Sequence, residues 1–240
     1  MPLQHRILAL VFEGFEALDF FGPLGAIVPR SDYYTLKLVH VHNFIAHQGL
    51  ETSIKNSIGI IPSMALADAL REEFDTLFIP GGVGILPLLW DPMLLQHVGQ
   101  LADKASNVFS VCTGSLVLAA TGRLDGRQAT TNKRAYDEMT PKYQQVQWQR
   151  RARWVQDGKF LTSSGVTAGL DAGFAFLANT YVAPEDRVAI RDYRSALQDT
   201  PENAASIPEY SREKALAHAR SVAWFLEYRW QEDPTDDPFV

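Results

Sequence analysis

One cysteine stands among 240 residues, so no disulfide can close within the chain and Cys112 carries all of its thiol chemistry. A chain this poor in cysteine fits a reducing cytoplasm. It opens on Met1-Pro2-Leu3-Gln4-His5-Arg6 with no small-residue cleavage site after a long apolar stretch, so no export signal is expected. No apolar run approaches the ~18 residues of a membrane helix, which leaves no membrane partner to expect. Basic residues are also in deficit, 22 against 28 acidic, for a net charge of -6. That balance argues against nucleic acid or an anionic lipid surface as the main partner. Internal repeats, low-complexity segments and a convincing linker are missing as well. With 46% apolar residues the chain can bury one sizeable core. Residues 1–240 therefore read as a single domain, with 183–240 a helical C-terminal extension packed on it.

What is present is a string of short, strongly apolar strands. Ile7-Leu8-Ala9-Leu10-Val11-Phe12 is continuous, as expected of a strand buried on both faces of a parallel sheet. Tyr34 to His42, Ile58 to Ser63 and Phe74 to Ile79 read as further strands, with a short helix from Met64 to Arg71. A helix is expected from about Leu86 to Ala105, a strand over Arg127 to Asn132, and a helix from Arg134 to Met139. Val146 to Trp148, Arg153 to Val155 and Phe160 to Ser163 look like paired strands, with Gln156-Asp157-Gly158-Lys159 as a hairpin turn. In the tail, helices are expected over Pro184 to Asp192 and Ser211 to Trp230, with Ser195 to Ser206 a polar loop. Strands alternating with helices give an α/β fold, a doubly wound and mostly parallel sheet sandwiched by helices.

The chain is organised around Asn107 to Ala120, where a β-branched strand gives way to an alanine- and leucine-rich helix. Cys112 sits at the joint, a nucleophile elbow that lifts its side chain above the carboxyl end of the sheet. It also faces the positive end of the following helix, a position that can lower a thiol pKa to about 3.5–7.5. The alternative is a small buried hydrophobe, the commoner use of a free cysteine. Gly114 just beyond the turn favours the nucleophile.

Three other stretches carry possible chemistry. Asp19 lies between Leu18 and Phe20-Phe21, so it is drawn toward the interior, either as a helix cap or as an acid or base in a site. Pro80-Gly81-Gly82-Val83-Gly84 closes a strand, and its glycines let backbone N–H groups come close to a developing negative charge. Its spacing does not match a dinucleotide fingerprint, and no cofactor is expected. Ser164 to Gly173 is a second small-residue strand-to-helix joint, suited to close packing beneath a site. His40 and His42 share one face of a strand, but no cysteine or carboxylate stands beside them, so no metal site is expected.

Four of these pieces, in this order, resemble the ThiJ/PfpI superfamily, which has the fold of class I glutamine amidotransferases. They are Ala17 to Pro23, Ile79 to Gly84, Ser110 to Ala119 and Thr162 to Asp171, and the resemblance spans about residues 5 to 190. The isocyanide hydratase-like branch is similar at all four places. The resemblance implies that Cys112 and Asp19 are catalytic and that backbone N–H groups at Gly82, Val83 and Thr113 form an oxyanion site. It also implies a homodimer without a cofactor. The implied activity is cofactor-independent, cysteine-dependent hydration of a small isocyanide to an N-formamide. Alternatives are a glutathione-independent glyoxalase-like activity, or a non-catalytic redox-sensing role through oxidation of Cys112.

One position departs from the family pattern. Many members follow a Thr-Thr pair with His-Trp, whereas this chain has Thr130-Thr131-Asn132-Lys133. An amide does not titrate near neutral pH, so Asn132 cannot serve as a general base. A Cys-His arrangement, and the peptidase or glutaminase chemistry that depends on it, is not expected. The tail after residue 190 is too short and acidic for a helix-turn-helix regulator.

Overall fold

The computed structural model describes residues 4–30, 32–41, 51–52, 59–186 and 209–239. Its frame is a seven-stranded sheet in the order β10-β11-β7-β6-β1-β2-β5. These strands are β1 (His5–Val11), β2 (Tyr34–His40), β5 (Met64–Ala65), β6 (Thr76–Ile79), β7 (Asn107–Val111), β10 (Trp154–Asp157) and β11 (Phe160–Ser163). Every neighbouring pair is parallel except β10 with β11. The central strands β1, β6 and β7 are apolar on both faces because helices cover both sides. The mostly parallel α/β sandwich expected from the alternation of strands and helices is what the chain forms.

Helix α7 (Thr167–Thr180) packs against both α1 (Ala17–Ile27) and α8 (Glu209–Phe225), and α4 (Pro92–Lys104) packs with α5 (Gly114–Ala120). The contact between α1 and α7 is tight, since a Cβ added at Gly173 would sit 3.0 Å from Pro23. The C-terminal helix is docked through Ala215, Ala219, Val222 and Ala223, all buried in the main core. Tyr181 stacks on His218 at 3.8 Å between ring centroids at the same seam. Among the described residues no helix is long and apolar enough to cross a membrane.

Several boundaries differ from the sequence expectation, each for a local reason. The helix expected over Leu86 to Ala105 is two, α3 (Ile85–Leu88) and α4. Pro92 opens α4, and the Asp91 carboxylate accepts the Leu94 N–H at 3.0 Å, so the chain restarts a helix there. Of the strand expected over Ile58 to Ser63, Gly59–Ile60 form β4, paired with β3 (Glu51–Thr52), while Ile58 lies outside the described residues. Met64 and Ala65 are an edge strand, and the helix after them, α2, covers Leu66–Ala69. The strand expected from Arg127 shrinks to β8 (Gln128–Ala129), which pairs in parallel with β9 (Gln147–Trp148) in a separate small sheet. Thr130 to Asn132 leave that strand and turn toward Cys112 instead, ahead of α6 (Lys133–Met139). Pro184–Asp186 is a short 3-10 turn. His42, the rest of the helix expected from Pro184, and the loop expected over Ser195 to Ser206 lie outside the described residues.

Candidate active site

The carboxyl ends of β11, β7, β6 and β1 lie side by side in the sheet, where open α/β folds bind ligands. The register brings their continuations together. Ile79 is opposite Ser110, so Gly81 comes level with Cys112, and Ser163 is opposite Val111. Asp19 reaches the same point from the first turn of α1.

Cys112 has φ of 58°, a backbone conformation costing a non-glycine residue on the order of 1–3 kcal/mol. The surroundings hold it there. Its N–H is shared by the carbonyls of Ser163 at 3.1 Å and Ser164 at 3.0 Å. Its own carbonyl accepts the hydroxyls of Ser115 and Thr131, each at 3.1 Å. The side chain is buried, with only 6% of the residue exposed.

Asp19 is not the cap of α1; Glu16 is, its carboxylate accepting the Leu18 N–H at 3.3 Å. Asp19 is instead fully buried. Its Oδ2 accepts the Gly81 N–H at 3.1 Å, and its Oδ1 is buried without a hydrogen-bond partner. Burial pushes the carboxyl up to about 7, with the charge of Glu16 adding to the rise. The nearby Cys112 thiol and the N–H groups of Gly81 and Val166 act in the opposite direction. The result is a carboxyl that can take or give a proton near neutral pH, next to the one thiol in the chain.

The thiol does not behave as its place at a helix start suggests. Burial pushes Cys112 up, and the charge of Asp19 pushes it further. The Thr113 N–H and the Asn132 side chain act in the lowering direction and are outweighed. Desolvation exceeds the pull of the short helix α5. Ionisation of Cys112 is therefore tied to Asp19, because two adjacent buried anions are far costlier than one.

Gly81 and Gly82 allow this approach. A Cβ at Gly81 would lie 2.7 Å from the Cys112 Cβ and from the Thr113 nitrogen, and 2.8 Å from Asp19 Oδ2. Gly81→Ala is expected to push the cysteine and the carboxyl apart, lower stability by about 1–3 kcal/mol, and slow Cys112 alkylation in the folded protein. Thermal unfolding and a timed iodoacetamide reaction read the two effects. Gly82 has φ of 130°, and its N–H already donates to the Thr113 hydroxyl at 3.1 Å. Any oxyanion bound by Gly82 must displace that hydroxyl. Thr113 presents its own N–H to the sulfur, while Val83 lies on the exposed rim of the turn.

Asn132, read from sequence only as the loss of a base, turns out to adjoin the sulfur. It caps α6, its Oδ1 accepting the N–H groups of Arg134 at 2.9 Å and Ala135 at 3.3 Å. With Oδ1 occupied, the amide nitrogen faces the other way, toward Cys112 and Gly165. An Asn ahead of a helix was the available sign of a cap; nothing in the sequence indicated what the other end of the amide touches. Val166, also unmarked in the sequence, has φ of 45° and brings its N–H to Asp19. Among the described residues no group of three or more His, Cys, Asp or Glu side chains is placed to hold a metal ion. His40 ends β2, which β6 and β1 separate from the cysteine strand β7 in the sheet.

A parallel α/β sheet with its cysteine on a strained strand-to-helix turn and a buried carboxyl against the sulfur defines a nucleophile-elbow protein. The chain belongs to the DJ-1/PfpI family, whose model matches residues 5–179. It is 33% identical over 162 residues to an isonitrile hydratase of Pseudomonas putida, a match covering 68% of this chain and 66% of that protein. It is 30% identical over 81 residues to a glutathione-independent glyoxalase of Caenorhabditis elegans, covering 34% of this chain and 43% of that one. The crystal structure of a ThiJ/PfpI family protein from Pseudomonas syringae is similar with a TM-score of 0.64 and 25% identity, over 92% of this chain and 90% of that one.

Proposed function

We propose that the protein hydrates a small isocyanide to an N-formamide, with Cys112 as nucleophile and Asp19 as the group that moves protons. The observation that carries this reading is the pairing of the sole thiol with a fully buried carboxyl pushed up to about 7, beside an amide where an imidazole base would be needed for acyl transfer. The likeness to an isonitrile hydratase supports the choice of substrate class.

In the proposed first step the sulfur forms a bond to the terminal isocyanide carbon while Asp19 accepts the thiol proton. Asp19 then delivers that proton to the same carbon, giving a thioimidate and restoring the carboxylate. Water adds to the C=N carbon, one of its protons passing to nitrogen. Collapse breaks the C–S bond, returns a proton to the sulfur and releases the N-formamide. One water is consumed, nothing is oxidised or reduced, and the cysteine is regenerated. The Thr113 N–H and the Asn132 amide steady charge on the sulfur as it arrives and leaves.

The glyoxalase-like alternative would use the same pair to move a proton between the two carbons of an α-oxoaldehyde. Incubation with cyclohexyl isocyanide and, separately, with methylglyoxal distinguishes the two, with formamide and lactate followed by NMR. Formamide formed catalytically, with little lactate, is the expected result. Lactate alone would replace the hydratase by the glyoxalase. No turnover of either, with a gain of two oxygens at Cys112 in mild peroxide, would favour a redox sensor.

A further inference from the structure

The chain beyond α8 returns to the cysteine site. Tyr228 and Trp230 pack on Phe174 of α7, with ring centroids 5.5 and 5.7 Å away. The Tyr228 hydroxyl and the Gln231 N–H donate to Asp171 Oδ1, each at 3.0 Å. The indole of Trp230 donates to the Asp171 carbonyl at 3.1 Å. Asp171 is itself paired with the buried Arg153 guanidinium at 2.6 Å. Further on, the Pro234 carbonyl accepts the Arg153 N–H at 2.6 Å. The Arg153 carbonyl accepts the Ser164 N–H at 2.8 Å, and the Ser164 carbonyl accepts the Cys112 N–H. A continuous backbone path thus joins the tail to the strained cysteine.

The tail then makes a second anchor, at the turn that leads into α6. Asp237 has a side chain only 1% exposed and lies 3.6 Å from the Lys133 ammonium. Lys133 is largely buried too, and its ammonium donates to Thr130 Oγ1 at 2.9 Å and to the Ala152 carbonyl at 2.7 Å. The residues spanned by this staple are Thr131, whose hydroxyl holds the Cys112 carbonyl, and Asn132, whose amide faces the sulfur. A buried carboxylate against a buried ammonium is costly to assemble and costlier to break.

We infer that Asp237 is a positioning residue for the cysteine site, holding the Thr130–Lys133 turn through Lys133 so that the Asn132 amide stays against the Cys112 sulfur. The inference rests on Cys112 being the reacting group and is independent of which electrophile it meets. Loosening the turn withdraws a donor that favours the thiolate, so the thiol becomes harder to ionise while the fold persists.

The test is the rate of Cys112 alkylation by iodoacetamide against pH, in full-length Asp237→Asn, Asn132→Ala and the double variant. Each single substitution is expected to slow alkylation about 3- to 10-fold and move its midpoint to higher pH, and the double variant to match Asn132→Ala alone. Asp237→Glu should restore most of the rate. A tail that only stabilises the fold would lower the melting temperature and leave the alkylation profile unmoved, and that result would overturn the inference. So would an Asp237→Asn effect that multiplies fully with that of Asn132→Ala. Should Asp237→Asn fail to fold, Lys133→Gln keeps donors for Thr130 and Ala152 while removing the charge that Asp237 faces, and the same cycle is run with it. Because alkylation needs no substrate, a failed hydratase assay does not disturb this reading, nor does its failure bear on the hydratase.

Discussion

Asp19→Asn is expected to leave a folded protein whose turnover is lower by roughly 10²–10⁴-fold, the usual loss for an acid–base group. The substitution is nearly isosteric and retains an oxygen for the Gly81 N–H, which now donates to Asp19 Oδ2 at 3.1 Å. What it removes is a carboxyl able to accept the thiol proton. In the wild type the rate should climb with pH through about 7, as burial holds Asp19 there, and level off above it. In Asp19→Asn that rise should vanish. A pH–rate profile that keeps its midpoint near 7 in the variant would assign the proton transfer to some other group.

The same substitution has a stability signature of opposite sign. A carboxyl whose folded pKa is raised from 3.8 to about 7 favours the unfolded state increasingly as pH climbs between those values. Below about pH 4 both states hold the proton and the cost disappears. Above pH 7 it is fully present and amounts to a few kcal/mol. Asp19→Asn should therefore raise the melting temperature at pH 8 and leave it nearly unchanged at pH 4. Lower activity with higher stability is the pattern of a group kept in an unfavourable setting for its chemistry. Equal melting temperatures at both pH values would show that the carboxylate is better solvated than its burial suggests.

How far all this was legible in the sequence follows from which interactions are local. Strand β1, the elbow between β7 and α5, and the joint between β11 and α7 are each written in a short stretch whose apolar pattern or small residues leave one reading. The two-residue strands β8 and β9 have no room for a period, and Thr131 and Asn132 leave the strand pattern for contacts across the site. Asp19 could be narrowed to a cap or a buried acid; the capping by Glu16, three residues earlier, decides between them. The direction of the Cys112 shift was hidden because it depends on burial and on Asp19, 93 positions away in a chain of 240 residues. The tail was the least legible. Glu232, Asp233, Asp236 and Asp237 look like one solvated acidic run, yet the last of them is packed against Lys133.

The largest effect belongs to Cys112→Ser, which is expected to reduce turnover by at least about 10⁴-fold. The exchange replaces one atom and keeps a polar hydrogen facing Asp19. The hydrogen bonds that hold residue 112 at φ of 58° come from its backbone, through Ser163, Ser164, Ser115 and Thr131, and survive the exchange. Stability should consequently change by no more than about 1 kcal/mol. Reactivity is another matter. The thiol is already pushed up by burial and by Asp19, and in the proposed mechanism it reacts because its proton passes to that carboxyl as the carbon–sulfur bond forms. A hydroxyl is several pKa units less acidic and far less polarisable than a thiol, so the same carboxyl cannot carry it to a comparable nucleophile. With no second cysteine in the chain to take over, iodoacetamide should add no mass to the variant. Formamide production by Cys112→Ser within tenfold of the wild type would mean that water reaches the isocyanide carbon without a covalent step, with Asp19 alone as its base.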